Sequence, residues 1–387
     1  MRLPRQAMLC LENSSTCLRD FVLQDALASG MENVALCLLL LGELYQGDES
    51  VWQTYINTLP SDYCTFLYMN DTDIRFLKGS PIIEKIASNY LFICRQYAYF
   101  CRRFNESPKA LNISGFIFCF DDYRWAVSTV MSRSNYIPHS NGTDRIMCLI
   151  PAWDMLNHKS GHVTTHYDAE VDELVFCTME AYKPGDQIFI DYGNRSNDEF
   201  FMFSGFVPQI NPNNKLTISL GISSSDSLAL TRKDLLQSFG LNVPLKCDLR
   251  GDIESMTEFF IFSRIFSMTK DELDKSLIDS KLNCALIKSK LGNLKFNKEI
   301  AYEYKAFDFM INRLKLLITA YGTLLTENSP EWNQLTPIRK NCERLKHHEI
   351  NILRSSIENI QNIMDNIGDS MTDNLSVASI KLDANNL

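Results

Sequence analysis

The sequence holds no pair of cysteines at C-x-x-C spacing, although it has twelve of them, at 10, 17, 37, 64, 94, 101, 119, 148, 177, 247, 284 and 342. No two thiolates are therefore spaced in the usual way to share a zinc ion. Several lie in apolar runs, such as Cys37 in ALCLLLL and Cys148 in IMCLIP, where cysteine behaves as a small hydrophobe. Reduced, buried thiols in a cytoplasmic protein, or one shared with the nucleus, are expected. Surplus positive charge is also missing. The formal net charge is −9, which speaks against a general phosphate-binding surface and against nucleic acid as partner. The longest apolar run, Val34 to Leu41, falls far short of the roughly 20 residues that cross a bilayer. MRLPRQAMLCLENSS has no apolar core of signal-peptide type, so no membrane partner is expected. The absence of G-x-S-x-G, G-x-G-x-x-G and P-loop patterns removes nucleophile-elbow hydrolases and phosphate-cradled cofactors.

What is present suits a globular protein with two apolar cores: 387 residues, 45% hydrophobic and 22% charged. Residues 20 to 110 read mainly as helix, with NVALCLLLLGELYQ and IIEKIASNYLFICRQYAYFCRRF carrying apolar stripes. From about 145 the character changes. RIMCLIPAW, HVTTHY, ELVFCT and QIFIDYG are short β-type runs, with a Lys183-Pro184-Gly185-Asp186 turn before the last. They predict a small antiparallel sheet. From about 226 helices return. One stripe runs Ile300, Tyr304, Phe307, Ile311, Leu314, Ile318, Tyr321, and another runs Ile350, Leu353, Ile357, Ile360, Met364, Ile367. Each covers only about three heptads, which favours packing within one chain, and hence a monomer, over a coiled-coil dimer. Thr269 to Glu272 has the form of a capping box. From about 369 the chain is polar and is expected to be disordered.

His158, His162 and His166 recur every four residues, the spacing of stacked ligands on a helix. Gly161 interrupts them, and on a strand residues four apart are about 13 Å apart; no metal is expected. Two runs hold more chemistry: Pro151-Ala152-Trp153-Asp154-Met155-Leu156-Asn157-His158 and Ile190-Asp191-Tyr192-Gly193-Asn194-Arg195-Ser196-Asn197. Polar side chains this dense beside apolar strands are costly unless hydrogen-bonded. Taken alone, they fit a network that closes a sheet as well as they fit a site.

Asn157-His158 with Tyr192-Gly193 resembles the paired motifs of the SET-domain methyltransferases, which thread into a pseudoknot around S-adenosyl-L-methionine. Arg133-Ser134-Asn135 and Ser204-Gly205-Phe206 extend the match. The order of elements resembles the subgroup with a helical insert inside the SET domain and a Rubisco-type helical substrate-binding domain after it. WQTYINTLPSDY, RQYAYF, YRWAVSTVMSR, IPAWDMLNH, GNRSNDEF and GISSSDSL resemble the branch that methylates a histidine of actin, so the likeness runs from about residue 2 to 365. It implies an α+β chain: a SET domain over 1–205 with its insert at about 20–125, a linker at 206–225, an all-α substrate-binding domain at 226–368, and the tail at 369–387.

The resemblance further implies that Arg133, Asp154, Met155, Asn157, His158, Tyr192 and Ser204 contact the cofactor. Arg95, Gln96, Asn135, Trp153, Ile190 and Arg195 match positions that hold the target peptide, with Tyr192 and Asn135 in catalytic roles. Methyl transfer from a sulfonium is an in-line displacement, so alignment and exclusion of water supply most of the rate. A lysine amine is neutral in only roughly one molecule in 2,500 at pH 7, whereas an imidazole is already about three-quarters neutral. A histidine acceptor needs only to be held in one tautomer, which the amide of Asn135 can do while Trp153 walls the ring. Histidine is the expected acceptor and lysine the alternative. One departure marks the N-terminus: no glycine occurs before Gly30, where SET domains carry a glycine-bearing strand pair. Part of the expected pocket wall has no counterpart, which raises the alternative of a relative that binds a peptide or actin without turnover.

Overall fold

The computed structural model describes residues 1–14, 18–106, 117–142, 144–297 and 299–382, with side chains up to 365. Cys17 and residues 383–387 of the expected tail lie outside the described residues. The chain forms two compact units. The first comprises Met1–Phe76, Ile82–Asn213 and Pro330–Cys342; the second comprises Leu77–Pro81, Asn214–Ser329 and Glu343–Leu387.

The first unit opens with β1 (Arg2–Pro4), followed by α1 (Leu18–Gln24), α2 (Ala26–Gly30), α3 (Glu32–Gln46), α4 (Gln53–Ile56), α5 (Asp71–Arg75), α6 (Ile82–Glu106) and α7 (Phe120–Arg133). The leucine run makes α3 apolar all round, and every residue from Val34 to Glu43 is buried, as expected of a helix at the centre of a core. Glu43 is tolerated there because the Ser14 and Ser50 hydroxyls donate to its carboxylate at 3.2 and 2.6 Å. α6 is amphipathic and turns Ile86, Ile93, Phe100 and Phe104 inward.

The β-rich part follows: β2 (Asn135–Pro138), β3 (Arg145–Cys148), β4 (Asn157–His158), β5 (Thr165–Asp168), β6 (Glu173–Phe176) and β7 (Phe189–Ile190). The strands do not join in one antiparallel sheet. β1, β6 and β5 form a three-stranded sheet and β2 pairs with β3, all antiparallel. β4 and β7 instead run parallel, with Asn157 opposite Phe189 and His158 opposite Ile190. Parallel pairing requires a crossover, here the excursion through β5 and β6. A two-residue strand is too short for alternation to reveal its partner. After β7 comes α8 (Asn197–Glu199), which passes into a single π-helical turn over Phe200–Ser204.

The second unit holds β8 (Leu216–Leu220), α9 (Ala229–Ser238), β9 (Leu245–Leu249), α10 (Thr257–Ser267), α11 (Lys270–Leu291) and α12 (Glu303–Ala320), and receives the greater part of α13 (Pro337–Leu382). Its core sets Phe259, Phe260 and Phe262 against Phe307, Met310, Leu314, Leu353 and Ile360. Thr269 and Glu272 form the expected capping box. Three boundaries differ from the sequence reading. The span 206–225, expected as linker, contains β8, whose pairing with β9 adds an antiparallel ribbon to a domain expected as all-α. Residues 330–342 group with the first unit. α13 continues to Leu382 through part of the expected tail. Among the described residues no helix is long and apolar enough to cross a membrane.

Candidate active site

α7 ends at Arg133, where Ser134 donates its N–H to Val130 O at 3.0 Å and turns the chain into β2. Arg133 and Asn135 therefore flank a helix-to-strand junction. The β2–β3 ribbon returns through Ile150 to Ala152, whose φ of 69° is left-handed, and this turn carries Trp153 and Asp154 into the interior, 8% and 7% exposed. The parallel pairing of β4 with β7 then lays residues 190–195 beside 154–158. Lys159 N–H donates to Ile190 O at 3.0 Å, Tyr192 N–H to His158 Nδ1 at 3.2 Å, and the Tyr192 hydroxyl to Leu156 O at 2.7 Å. Asp191 fastens the crossing, since its two carboxylate oxygens accept from Gly161 N at 2.9 Å and Gly193 N at 2.8 Å.

These segments bound a cleft of about 560 Å³. Its lining includes Arg133, Asn135, Trp153, Asp154, Ile190, Tyr192 and Arg195, seven residues that the sequence singled out. The indole N–H of Trp153 donates to Thr165 Oγ1 at 3.1 Å, which fixes the plane of the ring. Asn135 Oδ1 accepts from Tyr136 N at 2.8 Å. Ser204 does not line the cleft but is tied to it, with Arg195 Nη1 donating to its Oγ at 3.4 Å. His158 stacks behind Tyr192 against Phe200 and Phe206, with ring centroids 4.7 and 6.1 Å away. Met155 and Asn157 are exposed, outside the lining.

Two expected peptide contacts are not brought to the cleft. Gln96 sits on the inward face of α6, 5% exposed, where its Oε1 accepts from the Tyr123 hydroxyl at 3.2 Å. Arg95, one position round the helix, is exposed away from the lining. Conversely, sequence reading missed Tyr55, whose hydroxyl donates to Asp154 Oδ2 at 2.5 Å. It lies ninety-nine residues upstream in the insert, and no local pattern connects the two. Asp191, Arg145 and Tyr136 also line the cleft and were not singled out for it.

Burial sets the electrostatics. It pushes the Asp154 carboxyl up to about 6, against the opposing pull of Tyr55 and Arg133. Burial likewise lowers His158 and Arg195 and raises Tyr192. Arg133 reaches Asp154 twice, donating from Nη1 to its main-chain O at 3.0 Å and lying 3.8 Å from its Oδ2. Three buried polar atoms nevertheless have no partner: Arg133 Nε, Asp154 Oδ1 and His158 Nε2. Each such atom costs about 1–3 kcal/mol. Arg133 and Asp154 line the cleft, so two of these atoms give it an open donor and an open acceptor, whereas His158 lies outside the lining.

Residues 223–353 match the family model described as Rubisco LSMT substrate-binding. Two solved structures share the fold: the SET domain of LSMT bound to lysine and AdoHcy, and Rubisco LSMT bound to AdoMet. They have TM-scores of 0.64 and 0.63, 18% identity, and coverage of 93% of this chain and 81% of theirs. Actin-histidine N-methyltransferase of Mus musculus is 36% identical over 329 residues, 84% of this chain and 55% of its own length. That of Papio anubis is 35% identical over 361 residues, 92% and 60% respectively.

The chain has the SET-domain fold of those solved structures.

It is similar over residues 223–353 to the Rubisco LSMT substrate-binding model, and it spans 55% and 60% of the length of those two curated relatives. In this SET fold the parallel pair β4–β7 is the crossing point of the two motif segments, and the helical insert supplies Tyr55 to the same site.

Proposed function

We propose that this SET-domain chain binds S-adenosyl-L-methionine in the cleft and transfers its methyl group to an imidazole nitrogen of a histidine in a protein substrate, actin. One observation carries the reading. Unpaired Arg133 Nε and Asp154 Oδ1 belong to a lining that also holds Trp153, Ile190 and Tyr192. The names of the relatives support actin and histidine. The lining residues fit the cofactor: Arg133 and Asp154 would hold its charged amino-acid end beside Tyr192, while Met155, Asn157, His158 and Ser204 lie outside that lining and would meet only parts of it that extend beyond the cleft. When bound, the cofactor supplies an electrophilic methyl group on a sulfonium.

The rest falls to the chain's own side chains. Asn135 Oδ1 accepts one N–H from Tyr136 and retains a second lone pair. It can take the ring N–H of a neutral imidazole and leave the other nitrogen's lone pair free. Trp153 and Ile190 wall the flat ring. The Tyr192 hydroxyl is pinned by its donation to Leu156 O, and its oxygen keeps lone pairs that can accept at the cleft. Little reorganisation then remains at the moment of reaction, where alignment is worth most. The cytoplasm, with or without the nucleus, is the proposed compartment.

A second reading, lysine as acceptor, is favoured by the LSMT structures of the same fold, which are bound to lysine and to methyllysine. Incubating the full chain with S-adenosyl-L-methionine and actin, followed by peptide mass spectrometry, separates the two. One added methyl on a histidine is expected. A methyl on lysine alone would replace this reading with the second. Cofactor binding by calorimetry with no transfer to any residue would leave a binding protein.

A further inference from the structure

Five charged side chains line the cleft: Arg133, Arg145, Arg195, Asp154 and Asp191. Four have assigned partners. Arg133 is held by Asp154, Arg195 donates to Ser204, and Asp191 accepts two backbone N–H groups. Arg145 is different. Among the described residues it makes no side-chain hydrogen bond or ion pair, and it is exposed. It opens β3 opposite Pro138, so it shares the ribbon's outward face with Tyr136 and Met147. Tyr136 is 48% exposed and lines the same cleft. The opposite face buries Ile137, Ile146 and Cys148, so Arg145 stands on a ribbon anchored from behind.

We propose that Arg145 is a specificity-determining residue that receives a carboxylate of the protein substrate, an Asp or Glu side chain close to the acceptor histidine. The proposal rests on the methyltransferase reading above. A guanidinium offers a planar fork of donors that matches a carboxylate two bonds at a time, and a paired β-ribbon holds its backbone in place. A phosphate fits less well, because Asp154 and Asp191 line the same cleft and repel a dianion more than a monoanion. The cofactor carries a carboxylate too. Arg133, with its unpaired Nε, stands deeper in the site, which leaves the exposed Arg145 to the substrate.

The test uses the full chain with synthetic histidine-centred peptides bearing Glu, Gln or Lys on either side of the histidine. Peptide affinity is read by fluorescence anisotropy, AdoHcy affinity by calorimetry, and methylation by mass spectrometry. Arg145→Glu should weaken the Glu peptide by about tenfold, bring the Lys peptide up to match or exceed it, and leave AdoHcy affinity within twofold. Arg145→Gln should lie between. If both variants bind and methylate the Glu peptide within twofold of the wild type, the subsite is refuted while the methyltransferase reading stands. Loss of AdoHcy affinity in Arg145→Glu would assign the arginine to the cofactor and also overturn the proposal. If the wild type neither binds AdoHcy nor methylates any peptide, the underlying reading fails. A charge-swap effect on peptide affinity would then still show the subsite.

Discussion

At the scale of single residues, Asp154 concentrates the competing forces of the site. Its side chain has no exposed surface, yet it keeps Tyr55 at 2.5 Å and Arg133 within 3.8 Å. Desolvation wins and lifts its carboxyl to about 6, whereas an aspartate in an unfolded chain titrates near about 3.9. Between those values the folded protein holds a proton that the unfolded chain has lost. The group's contribution to stability is therefore fully present below about 3.9 and is lost as pH rises through about 6. Asp154→Asn removes the titration. Its stability relative to the wild type should rise across that window by on the order of 3 kcal/mol at most and level off above it. Urea unfolding at a series of pH values reads the difference, and a flat difference would mean the carboxyl is not desolvated. Asn135 makes a separate prediction. A phenyl ring cannot accept an imidazole N–H, so Asn135→Phe should cut kcat/KM for a histidine peptide by at least about tenfold. AdoHcy affinity should change little. Unchanged histidine methylation would remove Asn135 from the tautomer role.

The elements were legible in proportion to their length. α3, α12 and the last helix announce themselves through runs and stripes several turns long, and the Thr269 box marked the start of α11. The two-residue strands β4 and β7 are too short to show a period, and the π-turn at Phe200–Ser204 has no sequence signature. Gly205 ends that turn at φ 76°. A Cβ there would meet the backbone at Cys64 C, 3.0 Å away, and Thr65 N, 3.2 Å away. Neither atom can swing aside as a side chain would. Gly193 also has positive φ, at 90°, but no heavy atom lies within 4 Å of its would-be Cβ. Gly193→Ala should therefore cost only the conformational part, about 1 kcal/mol. Gly205→Ala adds the clash and should cost roughly 2–4 kcal/mol. Equal urea midpoints for the two variants would show that the close approach to residues 64 and 65 is absent.

Across the whole chain, the sequence carried the order of the pieces better than their joins. Asn157-His158, Tyr192-Gly193 and Arg133 to Asn135 lie in segments that converge on one cleft, as the motif order implied. The contribution of Tyr55, the strand inside the expected linker and the grouping of 330–342 with the first unit depend on tertiary pairing that no window of sequence contains. The same holds for Arg264 in the second unit. It is 2% exposed inside a helix rich in phenylalanine, where a reader of TEFFIFSRIFS would place an arginine facing water. It survives burial because every direction is answered. Glu303 takes Nε and Nη2 at 2.7 and 3.0 Å, and the carbonyls of Leu291, Asn293 and Lys295 take the remaining donors at 2.5, 2.6 and 3.1 Å. The arginine thereby fastens the chain between α11 and α12 to α10.

Breaking one side of such a pair leaves a buried charge uncompensated, while replacing both sides together removes the charge altogether. Arg264→Met should cost about 3–5 kcal/mol. Adding Glu303→Leu should recover part of that loss and not all of it, because the three carbonyls lose their donor in both variants. Since all four tryptophans (Trp52, Trp125, Trp153 and Trp332) fall in the first unit, the measurement should follow far-UV circular dichroism rather than tryptophan fluorescence. A double variant no more stable than Arg264→Met would mean that the carbonyl contacts, not the Glu303 ion pair, give this arginine its hold on the second core.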